Sequence, residues 1–213
     1  MPAGAADRNV FVNCPFDADY RSLFEALIFT IMASGYTARC ALEDDDAGNM
    51  RFDKLRRLIQ ESSWSIHDLS RTELGANALP RFNMPFELGL AMGAKYFGST
   101  KQRHNKALIL TRERHSLPAY LSDLGGNDPT DHGGDAGNVM RVVSRFLHVT
   151  PDGSLLPGPQ SYTEAFARFK AALPRIAAAL DWDAAEIDPY ANYRVYLQFV
   201  AEFMKTDNRV RAD

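Results

Sequence analysis

At 213 residues, 46% hydrophobic and 24% charged, the chain carries enough apolar mass for one full core plus an extension. A formal net charge of -3 argues against a general nucleic-acid binder, which needs a basic surplus or stripe. The two cysteines, Cys14 and Cys40, lack any CxxC or Cys/His spacing for zinc and fit a reduced, cytoplasmic setting. The stretch Met1 to Asp7 has no basic region followed by an apolar core, and no apolar run reaches the length of a membrane span, so neither secretion nor membrane insertion is expected.

Asn9 to Asn13 is short, apolar and rich in β-branched and aromatic residues, and Cys14-Pro15 stops it; it reads as a first strand. From Tyr20 to Ser34 the residues Leu23, Phe24, Leu27, Ile28, Ile31 and Met32 recur at three- and four-residue spacing, which predicts a helix closed by Gly35. Tyr36 to Leu42 reads as strand two, Met50 to Glu61 as helix two, and Trp64 to Leu69 as strand three. On helix two, Lys54, Arg56 and Arg57 read as a solvated basic face. Helix three runs from about Met84 to Tyr96, and Lys106 to Thr111 is a fourth strand. This alternation predicts right-handed crossovers and a parallel sheet covered by helices on both faces.

Further on, Leu117 to Leu124 reads as a short helix and Gly125 to Gly134 as loop chemistry with room for a fifth strand, giving a sheet of four to five strands. Gly137 to His148 is another amphipathic helix, and Thr150 to Pro159 has the Pro/Gly content of a linker. It divides a domain at 8–149 from a C-terminal helical extension at 160–206, with helices at Tyr162 to Leu180 and Tyr190 to Lys205. The second carries an aromatic stripe of Tyr193, Tyr196, Phe199 and Phe203, which must be covered either by the chain's own core or by a homodimer partner.

Open parallel sheets bind ligands beyond the carboxyl ends of their strands. Four segments converge there: Asn13 to Asp17, Glu43 to Asp46, Asp68 to Arg71 and Thr111 to Arg114. If Asn83 caps helix three, Pro85 falls harmlessly in its first turn and Glu87 stands just beyond, near the crevice. Its plain reading is a carboxylate favoured by the helix dipole. The apolar flank of Phe86, Leu88, Gly89 and Ala91 adds a functional one, a carboxylate whose proton affinity is tuned by desolvation. Asp68, at the end of strand three, is either a turn residue or a group that binds ribose hydroxyls or holds a partner in place. His67 alternates with it and so points to the opposite face, as a core histidine. Phe16 offers a ring to stack on a base, Asp17 a sugar ligand or a helix cap, and Asn13, Glu43, Ser70 and Asn83 further polar contacts to a ligand. The acidic run Glu43 to Asp46 lacks the oxygen spacing of a calcium loop, so no metal is expected. The phosphate-loop, dinucleotide and nucleophile-elbow glycine motifs are all absent.

Asp68-Leu-Ser70 together with Asn83-Met-Pro-Phe-Glu-Leu-Gly-Leu-Ala91 resembles the bacterial TIR-like and nucleoside 2-deoxyribosyltransferase-like superfamily, as does the opening Val10-Phe-Val-Asn-Cys-Pro-Phe-Asp17. The resemblance covers roughly residues 8 to 115. It implies a flavodoxin-like sheet, an N-glycosidic bond as target and Glu87 as the catalytic group, with Asp68 beside it. Two features depart from the pattern: Pro85-Phe86 replaces the aromatic-cysteine pair frequent before the TIR glutamate, and the C-terminal helical pair belongs to neither branch. The leading expectation is an NAD glycohydrolase that takes NAD or a related nucleotide as substrate, with no cofactor. A nucleoside 2-deoxyribosyltransferase or hydrolase and a non-catalytic nucleotide-sensing or assembly module are the alternatives.

Overall fold

The apolar runs and helical periodicities assemble, in a computed structural model that describes residues 5–44, 46, 48–72, 81–114, 117, 119–124 and 126–207, into an α/β fold of flavodoxin type. Five parallel strands, β1 (Asn9–Asn13), β2 (Thr37–Arg39), β3 (Trp64–Asp68), β4 (Lys106–Thr111) and β5 (Thr130–Asp131), lie in the order β2-β1-β3-β4-β5. The register pairs Val12 with Ile66 and Asn13 with His67 across the centre, and Leu110 with Thr130 at the far edge. The fifth strand for which the loop left room is therefore present, as a two-residue edge strand.

Six longer helices surround the sheet: α1 (Arg21–Ala33), α2 (Arg51–Gln60), α3 (Asn83–Phe97), α4 (Ala136–Leu147), α5 (Pro159–Ala178) and α6 (Tyr193–Thr206). Alternation along the strands decides what each face buries. Val10, Val12, Ile66, Leu108 and Leu110 join Phe24, Leu27 and Ile28 of α1 and Val139 and Val143 of α4 in one core. Phe11 turns the other way onto Leu55, Leu58 and Ile59 of α2, and Ile109 onto Met84 and Leu88 of α3. Every residue of β1 is buried, as a central parallel strand requires.

The residues Leu117 to Leu124, read as a short helix, form a 3-10 run over Ala119–Leu124 broken at Leu121, so the ladder of a regular α-helix does not develop. α5 begins at Pro159, earlier than its first apolar residue, because proline's fixed φ and missing N–H suit the opening position. The aromatic stripe of α6 is consumed inside the chain: Tyr193, Tyr196, Phe199, Val200 and Phe203 are all buried. Phe169 of α5 stacks on Phe29 of α1 at 5.5 Å and meets Phe203 at 5.5 Å, while the Tyr193 hydroxyl donates to the Ala38 carbonyl on β2. The C-terminal helices thus share the sheet's core, and the packing reason for a homodimer through them falls away. No helix among the described residues is long and apolar enough to cross a membrane.

Gly35 ends α1 as its pattern predicted. Its φ is +80°, its N–H donates to the Met32 carbonyl at 3.0 Å, and the Tyr36 N–H reaches back to Ile31 at 3.1 Å, which is a Schellman closure. A Cβ at Gly35 would lie 3.3 Å from the Pro151 ring, and the left-handed backbone penalises any L side chain. Gly35→Ala is expected to cost roughly 1–2 kcal/mol of stability in urea denaturation; an unchanged midpoint would show that the turn relaxes freely.

Candidate active site at the carboxyl rim

The strand order reverses direction between β1 and β3, so the segments leaving them part at the position where sheets of this order bind ligands. Asn13, the last residue of β1, is buried and uses its amide nitrogen twice, donating to the Met84 carbonyl at 2.8 Å and to His67 Nδ1 at 3.0 Å. The first bond fixes the opening turn of α3 against the sheet. The second leaves the His67 proton on Nε2. Burial pushes the His67 pKa down to about 3, so the ring is neutral, a core histidine as its position on the strand predicted.

Glu87 stands one turn into α3 and is 4% exposed. One carboxylate oxygen lies 3.4 Å from Arg51 Nη2, at the first residue of α2, and Arg51 itself is mostly in solvent, with 63% of its side chain exposed. Burial raises the Glu87 pKa above the ordinary glutamate value, and Arg51 offsets only part of this. Cys14, just past β1, sits within electrostatic reach of both carboxylates: burial and Cys40 raise its pKa, and Asp68, Glu87 and Asp17 raise it further. Cys40 is pushed up to about 12, chiefly by burial. Both are free, buried, protonated thiols, and neither is a nucleophile.

Asp68 is completely buried and fully engaged. Its Oδ2 accepts from the Tyr20 hydroxyl at 2.5 Å and lies 3.1 Å from His132 Nε2, and its Oδ1 accepts from the Ser70 N–H at 2.8 Å. The Gly134 N–H donates to His132 Nδ1 at 3.0 Å, so the ring's proton resides on Nε2, which lies within ion-pair distance of Asp68 but outside hydrogen-bond geometry. Burial pushes the Asp68 carboxyl up, but His132, Ser70 and Tyr20 together outweigh it and hold the group below its ordinary value. His132 escaped the sequence reading because Gly125 to Gly134 looked like undifferentiated loop. The available signal was its place directly after the fifth strand, at the same rim as Asp68.

The remaining candidates divide. Asp17 caps the turn Ala18–Tyr20 by accepting the Tyr20 N–H at 3.1 Å and also pairs with Arg81 at 2.5 Å and Arg71 at 3.7 Å. Phe16 is partly buried, in edge-to-face contact with Phe24 and Tyr190 at 5.6 and 6.1 Å. Glu43 forks onto Arg39 at 2.7 and 2.6 Å. Ser70 contributes the backbone N–H already described. Asn83 does not cap α3: Phe82 holds the cap position in helical conformation without a side-chain bond, and Asn83, one residue inside and exposed, is past the point from which a side chain can reach back over the first turn.

The basic face of α2 also departs from expectation. Lys54 donates to the Asp44 and Asp46 carbonyls at 2.9 and 2.7 Å and Arg57, itself exposed, to the Asp44 carboxylate at 2.6 Å, so these two clamp the acidic loop, while Arg56 stands in solvent beside Asp53. Asp45 lies outside the described residues. A cavity of about 390 Å³ among Met32, Tyr36, Leu156 and Met204 opens at the opposite, amino-terminal rim, away from the carboxylates. Comparison with protein-family models, curated proteins and solved structures gave no match.

The two buried carboxyls have opposite linkage. Asp68, with a lowered pKa, contributes stability that is present above the ordinary carboxylate value of about 4 and lost as pH falls through its folded pKa. His132→Ala is expected to cost roughly 1–3 kcal/mol by leaving Asp68 short of a partner, and Asp68→Asn to flatten the acid limb of stability against pH; urea unfolding across pH measures both, and an unaltered acid limb in Asp68→Asn would contradict the assignment. Glu87, with a raised pKa, contributes below the ordinary value and loses that contribution as pH rises through its folded pKa. Glu87→Gln is therefore expected to melt no lower than the parent at neutral pH; a clear drop in melting temperature would make Glu87 a structural ion-pair partner.

Proposed function

We propose that the chain hydrolyses the N-glycosidic bond of NAD or a related nucleotide, with Glu87 as the catalytic carboxylate. The observation that carries this reading is Glu87 itself: a nearly buried acid with a raised pKa, at the β1/β3 switch point, held among the described residues by a loose contact to an exposed arginine. A carboxylate so poorly stabilised in its resting state gains most when positive charge develops opposite it. The resemblance of the strand-acid and Glu-Leu-Gly segments to TIR-like enzymes points the same way.

Nicotinamide in NAD is a cationic leaving group. The C1′–N bond breaks with its electron pair passing to the ring nitrogen, leaving an oxocarbenium-like sugar that the Glu87 carboxylate stabilises. Water then adds to C1′ and loses a proton, giving nicotinamide, ADP-ribose and one H⁺. No acid is needed to protonate the leaving group. This matters because Asp68, the second carboxyl at the rim, is held ionised and closed off by its donors. A neutral nucleoside base needs such an acid, so the site favours the cationic leaving group over the deoxyribosyltransferase reading. In this account Asp68, His132 and Tyr20 are positioning residues that tie the ends of β3 and β5 to the turn before α1. The reduced, cytoplasmic setting belongs to the same proposal and rests on the two free, buried thiols.

Chromatographic measurement of nicotinamide released from NAD tests the proposal. Glu87→Gln is expected to lower the rate by about 10²–10³, the usual cost of removing one charge-stabilising group. Equal rates in parent and variant would remove Glu87 from the chemistry, and ligand binding without turnover in the parent would favour a sensing module.

A further inference from the structure

We infer that the outer face of α3 pairs with the same face of a second copy of this chain, the two helices running antiparallel about a two-fold axis near Ala91.

Large apolar side chains left in solvent are normally scattered over a surface, and a gathering of them marks an interaction site. Among the described residues every exposed one except Leu155 and Leu180 belongs to α3, to its cap position or to the opening of α2. Phe86, Tyr96 and Phe97 stand on α3 and Phe82 at its cap, while Met50 and Phe52 flank Arg51, whose contact with Glu87 ties the opening of α2 to α3. Their exposure runs from 49% for Phe52 to 88% for Phe97. At about 200 Å² for a whole side chain of this size, they present roughly 750 Å² together. That is close to the ~800 Å² that each partner of a stable protein pair buries.

The pattern along α3 shows what kind of surface covers it. Phe86, Gly89, Gly93 and Tyr96 recur at spacings of three, four and three, the seam of a helix–helix pair. The charged residues of the helix, Glu87 and Lys95, both lie off this seam, Glu87 buried and Lys95 partly so. A solvent-facing stripe without a charge is the reverse of what a surface helix carries. The chain's own packing does not account for the two glycines either. Glycine inside a helix is costly relative to alanine, yet a Cβ at Gly89 or Gly93 would meet nothing within 4 Å. Leaving it out is useful when another backbone comes close.

The occupant follows from the symmetry of the seam, which reads the same from either end. Gly89 and Gly93 stand two residues to either side of Ala91, and Phe86 and Tyr96 stand five. In an antiparallel pair glycine therefore lies over glycine where the backbones close, and ring meets ring at both ends. Charge agrees with this choice. Although the chain carries a net charge of -3, its copy meets no like charge along an uncharged stripe, and a strongly acidic or basic partner finds nothing there to pair with.

Sedimentation equilibrium of the full chain from micromolar to millimolar concentration tests the pairing, with Phe97→Glu and Gly93→Leu as variants. The parent is expected to dimerise, and each variant to dissociate at least about tenfold more readily. One places a charge on the face; the other holds the two backbones apart. Gly93→Leu keeps the result readable should Phe97→Glu unfold, because leucine favours the helix and nothing in the single chain opposes its Cβ, so at dilute concentration it is expected to melt no lower than the parent. Oxidation reads the orientation: a mixture of Gly89→Cys and Gly93→Cys is expected to cross-link faster than either variant alone, Cys14 and Cys40 being buried. A parent that stays monomeric, a dimer that neither variant weakens, or cross-linking that is fastest within a single variant overturns the inference.

Discussion

The Asn13 side chain is the contact on which the candidate site depends. A parallel strand leaves its last residue at the rim with no partner beyond it, and here that residue reaches sideways to the Met84 carbonyl and the His67 ring. The carbonyl has a second lone pair to spare for this bond. By pinning the first turn of α3 to the end of β1, the amide fixes where the next turn stands, and that turn carries Glu87. Neutral His67 completes the arrangement, because a charged ring could not accept the Asn13 bond at Nδ1.

Two buried carboxyls at one rim have been driven apart by their surroundings. Asp68 and Glu87 are both almost free of solvent, yet their proton affinities move in opposite directions. Burial penalises both charges alike, so the difference lies in the donors. Asp68 has the Tyr20 hydroxyl, the Ser70 N–H and the His132 ring around it, whereas Glu87 has, among the described residues, one long contact to a solvent-exposed guanidinium. Pairs separated in this way mark acid–base assignments in known enzymes, and the contrast is what singles out Glu87 for the chemistry proposed above.

Much of the fold was legible in the sequence because it is written locally. Period-two and period-3.6 apolar patterns placed β1, β3, β4, α1, α2, α3 and α4, and the alternation of strands and helices carried the parallel topology. Gly35 marked its own turn. Features that depend on distant partners were harder to read. β5 is two residues long and gains its strand character only by pairing with Leu110 and Thr111. His132 acquires its importance from Asp68, far away in the chain, and nothing in the residues flanking it announces that contact. Lys54 and Arg57 looked like a solvated face because helical periodicity cannot reveal that an acidic loop folds back over them. Asn83 has the right chemistry for a cap and stands one residue too late, a difference within the uncertainty of any helix boundary. The α6 stripe was correctly read as needing cover; that α1 and α5 of the same chain supply it is tertiary information.

The central claim is that Glu87 is a carboxylate held in an unfavourable state. A carbon-13 NMR titration of the side-chain carboxyls, with the Glu87 signal identified by its absence in Glu87→Gln, measures this directly. The account predicts a midpoint above the ordinary glutamate value of about 4.3, moving higher still when Arg51 is replaced by alanine. A midpoint at or below that value would make Glu87 a satisfied ion-pair partner of Arg51 and would contradict the account.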